Sequence, residues 1–174
     1  FVIMVLKLIL DHGEPIFFTQ IRIGQNGKSF RIFKFRTMRS SAPKNLPTGC
    51  VSAEYITPLG YWLRRLSLDE LPQLLNVVRG EMSLVGPRPE VRKYVDMYTV
   101  EQRKVLAIVP GITDYASIEY ADENTILGQA SDPDRAYVEQ IMPDKIRYNM
   151  KYIDNQCLKE YFKIIFLTLM KIVK

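Results

Sequence analysis

An acidic pair, Asp69-Glu70, lies between two arginine-bearing segments in the stretch 64–89, RRLSLDELPQLLNVVRGEMSLVGPRP, and this stretch constrains the chain most. Ser67, Pro72 and the Leu/Val periodicity place the pair at the start of a helix, where backbone N–H groups lack intrahelical partners. Such N–H groups and arginine side chains bind phosphate oxygens, whereas a carboxylate serves as a nucleophile or a metal ligand. The stretch therefore predicts phosphate chemistry.

The same residues also allow a purely structural interpretation. Ser67-x-x-Glu70 fits a capping box, in which each side chain would bond to the backbone N–H of the other residue, and Asp69 would only complement the helix dipole. In that helix Pro72 would lie past the first turn, where its missing N–H costs a hydrogen bond. If the helix instead begins at Pro72, the acidic pair lies just before its N-terminus. The residues alone leave both alternatives open.

Length and charge limit the classes of protein that remain. A chain of 174 residues predicts one domain over residues 1–174. The net charge of +5 favours phosphate-bearing partners such as lipids and nucleotides. His12 is the only histidine, which excludes multi-histidine zinc sites and makes histidine-based triads improbable, and Cys50 and Cys157 form neither a metal motif nor a disulfide framework. Since no nucleic-acid-binding signature is present, nucleic acid is disfavoured as a partner.

Both termini are strongly apolar. Residues 1–10 are apolar except for Lys7, and ten residues are too few to cross a bilayer, which takes about 20 in a helix. We expect this segment to be the remnant of a longer membrane-embedded helix, with a buried core helix or strand as the alternative. Residues 158–174 predict an amphipathic helix, which either packs on the core or lies in the membrane interface.

The fold class predicted for the chain is α+β, mostly helical with a small β-hairpin or short sheet and amphipathic helices at the membrane interface. Residues 16–23 and 29–37 form the hairpin around Asn26-Gly27, and period-two geometry places Lys34 and Arg36 on one face. Residues 38–58 are expected to be a loop. The helices are predicted at 59–66, 90–97, 100–108 (with a Thr99/Gln102 capping box), 132–142 and 143–154.

Three ordered blocks carry a family resemblance. They are Ser67–Leu74 with Gly80–Glu90, the upstream run Phe35–Met38, and the downstream run Pro110–Thr113. In this order they resemble the bacterial sugar transferases, the monotopic polyprenyl-phosphate phosphoglycosyl transferases. The resemblance spans roughly residues 14–115. A lone Asp-Glu pair would carry little weight, but three blocks in order are a specific signal.

The resemblance implies transfer of a phosphosugar from a UDP-sugar donor to a polyprenol phosphate acceptor, which gives a polyprenyl diphosphate sugar and UMP. It places this reaction on the cytoplasmic face of the bacterial inner membrane, as the first membrane step of glycoconjugate assembly. By matching position, Asp69 is the nucleophile, which forms a covalent phosphosugar intermediate, and Glu70 binds Mg²⁺, with Mn²⁺ as an alternative. Arg88, Arg64 and Lys34 match positions near the family's active site. Compact relatives favour an N-acetylated UDP-hexose.

Two observations qualify this interpretation. Arg36 joins the phosphate-binding candidates only through its predicted place on the Lys34 face of the hairpin. Thr113-Asp114-Tyr115 departs from the family's commoner Thr-Gly, which puts sugar or base contacts from this loop in doubt. The alternative function is a non-catalytic basic module that docks on anionic membranes, which the charge and the C-terminal lysines allow.

Overall fold

The computed structural model describes residues 2–11, 13–43 and 53–173. The predictions that concern His12 and Cys50, and the larger part of the predicted loop at 38–58, lie outside the described residues. Within the described part of that loop, Met38 forms an isolated antiparallel bridge with Ile56, and a 3₁₀ helix covers Ala53–Tyr55.

The predicted hairpin is present. Strands β1 (Phe17–Ile23) and β2 (Ser29–Phe35) pair in antiparallel register, with Phe17 opposite Phe35 and Ile23 opposite Ser29. Asn26 and Gly27 adopt positive φ angles of 55° and 73° in the connecting 3₁₀ turn, which is the backbone geometry that this residue pair favours. The hairpin prediction is confirmed.

Helix α2 (Pro58–Arg65) begins at Thr57, whose side chain accepts a hydrogen bond from the Gly60 N–H group. The chain then turns at Ser67, which has φ 53°, into a 3₁₀ helix over Leu68–Gln73 that leads directly into α3 (Leu74–Val78). The capping-box interpretation is wrong, because the Ser67 side chain makes no capping bond. A helix that begins at Pro72 is also wrong, since Pro72 lies inside the 3₁₀ segment.

A second, parallel pair of strands escaped prediction. Strand β3 (Ser83–Val85) pairs with β4 (Gly111–Thr113), and Gly86 and Gly111 bring the two backbones together. Between them, α4 covers only Arg92–Val95, and a 3₁₀ helix over Gln102–Ala107 replaces the second predicted helix. The predicted Thr99/Gln102 capping box is confirmed: the Thr99 N–H group donates to Gln102 Oε1 at 2.9 Å, and the Gln102 N–H group donates to Thr99 Oγ1 at 3.2 Å.

The C-terminal half is helical. The elements are α5 (Tyr115–Glu119), α6 (Glu123–Gly128), α7 (Pro133–Ala136), a π-helical turn over Tyr137–Ile141, α8 (Met142–Asp154) and α9 (Leu158–Val173). Asp132 caps α7 as predicted, by accepting from the Arg135 N–H group. The predicted break before Pro143 is wrong, because the π turn joins α7 to α8 without interruption. In this turn the Met142 N–H group donates to the Tyr137 carbonyl oxygen, five residues back. Pro143, which has no N–H group to donate, follows directly.

Within the described ranges, buried side chains form three apolar clusters. The largest lies between α4 and the α7–α8 run and includes Tyr94, Tyr137 and Ile146. A second cluster packs Phe35 against α2, and a third packs β3 against Ile164 of α9. The mixed helix and strand content confirms the α+β class, and the predicted organisation as one domain stays a prediction.

Helix α1 (Val2–Leu10) packs on α2 through Ile3 and Met4. The Lys7 ammonium is fully buried, and it bonds Asp11 at 2.6 Å and the Arg36 carbonyl oxygen at 2.5 Å. Other apolar side chains of α1, such as Val2 and Ile9, are exposed. Among the described residues, no helix combines the length and apolar character that a membrane span requires.

We expect Gly111→Ala to destabilise the fold, because an added Cβ would lie 2.5 Å from the Gly86 carbonyl oxygen, in backbone that cannot yield as a side chain can. Overpacking of this kind costs about 1–3 kcal/mol or more in the free energy of unfolding, measured by urea titration. Gly128→Ala is the matched control, since nothing lies within 4 Å of its added Cβ. Equal stability of the two variants would contradict the close approach of the two strands.

Candidate active site

The six predicted site residues line one cleft with a volume of about 1710 Å³. The hairpin supplies Lys34 and, just after β2, Arg36. Arg64 comes from the last turn of α2, and the acidic pair comes from the following 3₁₀ helix. Arg88 comes from the loop after β3. Residues separated by more than 50 positions therefore meet, because β2 packs on the 3₁₀ helix and β3 delivers the Gly-Pro-Arg-Pro loop beside it.

Glu70 is the centre of an ion cluster. Its Oε1 accepts from Lys34 Nζ at 2.8 Å and from Arg88 Nη2, and its Oε2 accepts from Arg88 Nη1 at 2.8 Å. Burial opposes the ionised form, but the charges of Arg88 and Lys34 outweigh it and hold the pKa of Glu70 well below its usual value. In turn, Glu70 raises the pKa of Arg88. Glu70 is therefore ionised and occupied by two cations.

Asp69 is different, because its carboxylate makes no ion pair or hydrogen bond with the part of the chain that the structure describes. Burial and the neighbouring Glu70 charge raise the pKa of Asp69, against the opposing influence of Lys34, Arg64 and Arg88. The side chain is half-buried, and it lines the cleft. A carboxylate with both oxygens unused, close to three cations, is suited to attack an electrophile such as phosphorus.

The cations near the pair differ in how firmly they are held. Arg88 also donates from Nη1 to the Ile112 carbonyl oxygen at 3.0 Å, so its guanidinium is fixed from two sides. Arg64 donates from Nε to Thr37 Oγ1 at 2.8 Å, and burial lowers its pKa although Asp69 opposes this. Burial also lowers the pKa of Lys34. These three side chains surround the acidic pair.

Arg36 lies in the same cleft but outside the ion cluster. Its guanidinium stacks over the Phe18 ring at 5.7 Å, and its Nε is buried with no hydrogen-bond partner among the described residues. Lys34 and Arg36 both line the cleft, and Phe35 packs in the core and also reaches the cleft wall. The structure thus places Arg36 in the cleft, and among the described residues no ion pair joins it to Asp69 or Glu70.

A metal on Glu70 does not fit this arrangement, because Lys34 and Arg88 use both carboxylate oxygens. Among the described residues, no cluster of three or more His, Cys, Asp or Glu side chains is arranged to hold a metal ion. Mg²⁺ often needs only one or two carboxylates, together with substrate phosphates and waters. A metal ligand role for Glu70 would therefore require at least one of its cationic partners to move.

Sequence reasoning missed a second ion cluster at the edge of the cleft. Glu90, which directly follows the Gly-Pro-Arg-Pro loop, accepts from Arg22 Nη1 at 3.0 Å through Oε1 and from the Tyr137 hydroxyl through Oε2. Burial lowers the pKa of Arg22, and it raises the pKa of Tyr137. This cluster joins β1 to the π turn and fixes the far end of the loop. The glutamate was visible in the motif, but its partners carry no sequence signal.

Sequence reasoning also missed Asn76, a fully buried amide of α3. Its Nδ2 donates to the Arg31 carbonyl oxygen at 2.8 Å and to Glu81 at 2.7 Å, and its Oδ1 accepts from the Phe33 N–H group. These bonds hold the edge of β2 against α3, so they fix the strand that carries Lys34. Glu81 helps to hold the Asn76 amide in this position.

We expect Asp69→Asn to raise the free energy of unfolding at neutral pH. Because the folded state raises the pKa of Asp69, it disfavours the ionised form, and the neutral amide removes that cost. The gain should disappear as the pH falls below the unfolded pKa of about 3.9, where the wild-type carboxyl is protonated in both states. Urea titrations between pH 3 and 8 would measure it.

Asp96→Asn is the control for this experiment, because Asp96 is exposed and lies outside the cleft. We expect it to change the free energy of unfolding by no more than about 1 kcal/mol, the usual worth of an exposed ion pair such as Arg92–Asp96. An Asp69→Asn variant less stable than wild type at pH 7 would contradict the raised pKa.

Comparison with known proteins identifies relatives along the whole chain. The family profile described as "Bacterial sugar transferase" matches residues 1–174. The "Uncharacterized sugar transferase EpsL" of Bacillus subtilis is 38% identical over 176 residues, which cover 99% of this chain and 76% of that protein.

Two longer relatives have more specific names. The "UDP-glucose:undecaprenyl-phosphate glucose-1-phosphate transferase" of Escherichia coli is 32% identical, over 95% of this chain and 34% of that protein. The "UDP-N-acetylgalactosamine-undecaprenyl-phosphate N-acetylgalactosaminephosphotransferase" of Aeromonas hydrophila is 33% identical, over 94% of this chain and 37% of that protein. The chain thus spans about a third of the length of these two relatives.

Proposed function

The chain belongs to the bacterial sugar transferase family, and from this premise we propose that it transfers a sugar 1-phosphate from a UDP-sugar to a polyprenol phosphate. The products are a polyprenyl diphosphate sugar and UMP. The observation that carries the proposal is the Asp69 carboxylate, which has no bonded partner in the described part of the chain. It lies in the cleft beside a glutamate that Arg88 and Lys34 neutralise. The named relatives act on different sugars, so a panel of UDP-sugars must identify the donor.

The reaction takes place in two displacements. In the first, an Asp69 oxygen bonds to the phosphorus nearest the sugar while the bond from that phosphorus to the bridging oxygen breaks, and UMP leaves with the electron pair. In the second, an oxygen of the polyprenol phosphate attacks the resulting acyl phosphate and releases the Asp69 carboxylate. Both nucleophiles react in their anionic forms, so neither step needs a general base.

Basic side chains around Asp69 make the approach of these anions possible. Two negatively charged phosphates must come close to a carboxylate, and the charges of Lys34, Arg64 and Arg88 offset that repulsion. Arg88 is the principal phosphate clamp in this proposal, because its loop and its guanidinium are both held in place. Arg36 is assigned to phosphate oxygens elsewhere in the cleft, because its buried Nε has no hydrogen-bond partner among the described residues.

Magnesium, with manganese as an alternative, stays part of the proposal. When bound, the ion would neutralise diphosphate oxygens of the donor. Glu70 would bind the ion only if Lys34 or Arg88 first moved from Glu70 to the donor phosphates. Asp69 is the neighbouring carboxylate whose oxygens make no bond to the described residues. No step of the two displacements depends on which of these ligands is used.

The membrane is the source of the lipid acceptor, and α9 offers a surface for it. Leu158, Phe162, Phe166 and Leu169 recur at helical spacing and are 76%, 64%, 62% and 58% exposed. An apolar stripe of this kind beside lysines is typical of helices that lie in the membrane interface. We assign the protein to the cytoplasmic face of the bacterial inner membrane as a monotopic protein, with α1 as part of its membrane contact.

Replacing the proposed nucleophile tests the covalent mechanism. We expect Asp69→Asn to abolish UMP release from a UDP-sugar in the presence of polyprenol phosphate, because an amide is a very poor nucleophile. In wild-type protein incubated with donor alone, intact-mass and peptide spectrometry should find a sugar-phosphate adduct on Asp69.

Asp96→Asn serves as the control and should release UMP at the wild-type rate. Normal turnover by Asp69→Asn, or an adduct on another residue, would overturn the covalent role of Asp69. Strong binding to anionic vesicles by wild-type protein that releases no UMP from any donor would instead favour a non-catalytic membrane-docking module.

A second variant separates the two roles considered for Glu70. Glu70→Gln removes the charge that holds Arg88 and Lys34, and breaking a buried ion cluster of this kind costs about 3–5 kcal/mol. Without that charge the two cations can shift, and a displacement of about 1 Å is enough to lower the rate of UMP release about a hundredfold. If Glu70 is also a metal ligand, the Mg²⁺ concentration for half-maximal activity should rise. An unchanged Mg²⁺ requirement would contradict the ligand role and leave Glu70 as the residue that holds the two cations.

A further inference from the structure

Asp114 is the most deeply buried carboxylate near the cleft that the proposed reaction does not use. It is 0% exposed, although it follows β4 directly and belongs to the Thr113-Asp114-Tyr115 segment that departs from the family's commoner Thr-Gly. A carboxylate is costly to bury unless it is well bonded or paired. We therefore expect the Asp114 carboxylate to have specific hydrogen-bond partners.

The two oxygens of Asp114 have different partners. Oδ1 accepts from the Ser117 N–H group at 2.5 Å and caps α5. Oδ2 accepts from the Arg88 N–H group at 2.9 Å, across 26 residues of chain. Helix capping needs only the first bond. The second bond fixes the backbone of the residue that clamps Glu70.

The same part of the chain holds Arg88 at a second point. The Ile112 carbonyl oxygen accepts from Arg88 Nη1 at 3.0 Å, so β4 and the residue after it bind both the backbone and the guanidinium. The Gly86 N–H group also donates to the Thr113 carbonyl oxygen at 3.0 Å, and the Gly111 N–H group donates to the Pro87 carbonyl oxygen at 3.0 Å. The loop that carries Arg88 is thus bonded along its length to β4 and Asp114.

Thr113 and Tyr115, on either side of Asp114, bond this segment to α9. Thr113 Oγ1 bonds Thr168 Oγ1 of α9 at 2.7 Å, and the Tyr115 hydroxyl donates to Glu160 at the start of α9. Asp114 is therefore held between α9 and the Arg88 loop. A shift of the loop away from Asp114 would leave a buried carboxylate oxygen and a backbone N–H group unpaired.

We propose that Asp114 is a positioning residue that holds Arg88 in the geometry needed to bind the donor diphosphate. The proposal rests on the proposed function, because it assigns the diphosphate to Arg88. Displacement of a charged group by about 1 Å is enough to lower an enzymatic rate about a hundredfold. Asp114 acts through Arg88, so its replacement should matter only while Arg88 is present.

A double-mutant cycle tests this dependence. We would measure the dissociation constant of UDP and the rate of UMP release for Asp114→Asn, Arg88→Ala and the double variant. In the wild-type background we expect Asp114→Asn to weaken UDP binding and to lower kcat/KM about tenfold or more. In the Arg88→Ala background we expect almost no further change. An equal loss in both backgrounds would overturn the proposal, since it would mean a general structural effect.

Tyr115→Phe is the matched control, because it removes a hydrogen bond to α9 from the adjacent residue without touching Arg88. We expect it to leave UDP binding unchanged in both backgrounds, because the Thr113–Thr168 bond still joins this segment to α9. A loss equal to that of Asp114→Asn would assign the effect to α9 and not to Asp114.

A second readout does not depend on catalysis. The backbone amide signal of Arg88 in ¹H–¹⁵N NMR spectra should move, and its hydrogen exchange should accelerate, in Asp114→Ala but not in Tyr115→Phe. An Arg88 amide unaffected by Asp114→Ala would overturn the proposal. If no UDP-sugar yields UMP, the proposed function fails, and this measurement still decides whether Asp114 positions Arg88.

Discussion

The bond between Glu70 and two cations, Arg88 and Lys34, is the interaction on which the active site depends. It concentrates positive charge in a cleft without leaving that charge unpaired, and it uses one of two adjacent carboxylates to do so. The other carboxylate, on Asp69, makes no hydrogen bond or ion pair with any residue that the structure describes. Two residues of the same chemistry thus acquire opposite properties, because one is bonded and the other is only buried.

Contacts outside the ion cluster place Arg88 and Lys34 beside Glu70. The close approach of Gly86 and Gly111 joins β3 to β4 and sets the Gly-Pro-Arg-Pro loop beside the acidic pair. Asn76 fixes the strand that carries Lys34 on the opposite side. The ion cluster is therefore assembled by elements that are bonded to one another, and such preorganisation lowers the entropy lost when phosphates bind.

Much of the site could be predicted from the sequence, since Asp69, Glu70 and Arg88 lie in ordered motifs. Lys34 matches a position of the family that the chain resembles, and Arg36 follows from strand alternation. The parallel strands could not, because three residues are too few to give a periodic signal. Asp114 could be seen as a departure from the family pattern, but its bond to Arg88 spans 26 residues and has no local signature. Pro143 predicted a helix break, whereas the neighbouring π turn lets the chain continue as a helix.

The titration of the two carboxyl groups tests the account most directly. In ¹³C-labelled protein, the side-chain carboxyl signals of Asp69 and Glu70 can be followed by NMR as the pH is lowered. The account predicts that Asp69 takes up its proton at a higher pH than an ordinary aspartate, while Glu70 stays ionised to a much lower pH. Protonation of Glu70 before Asp69 would contradict it, because the cations would then not be bound where the structure places them.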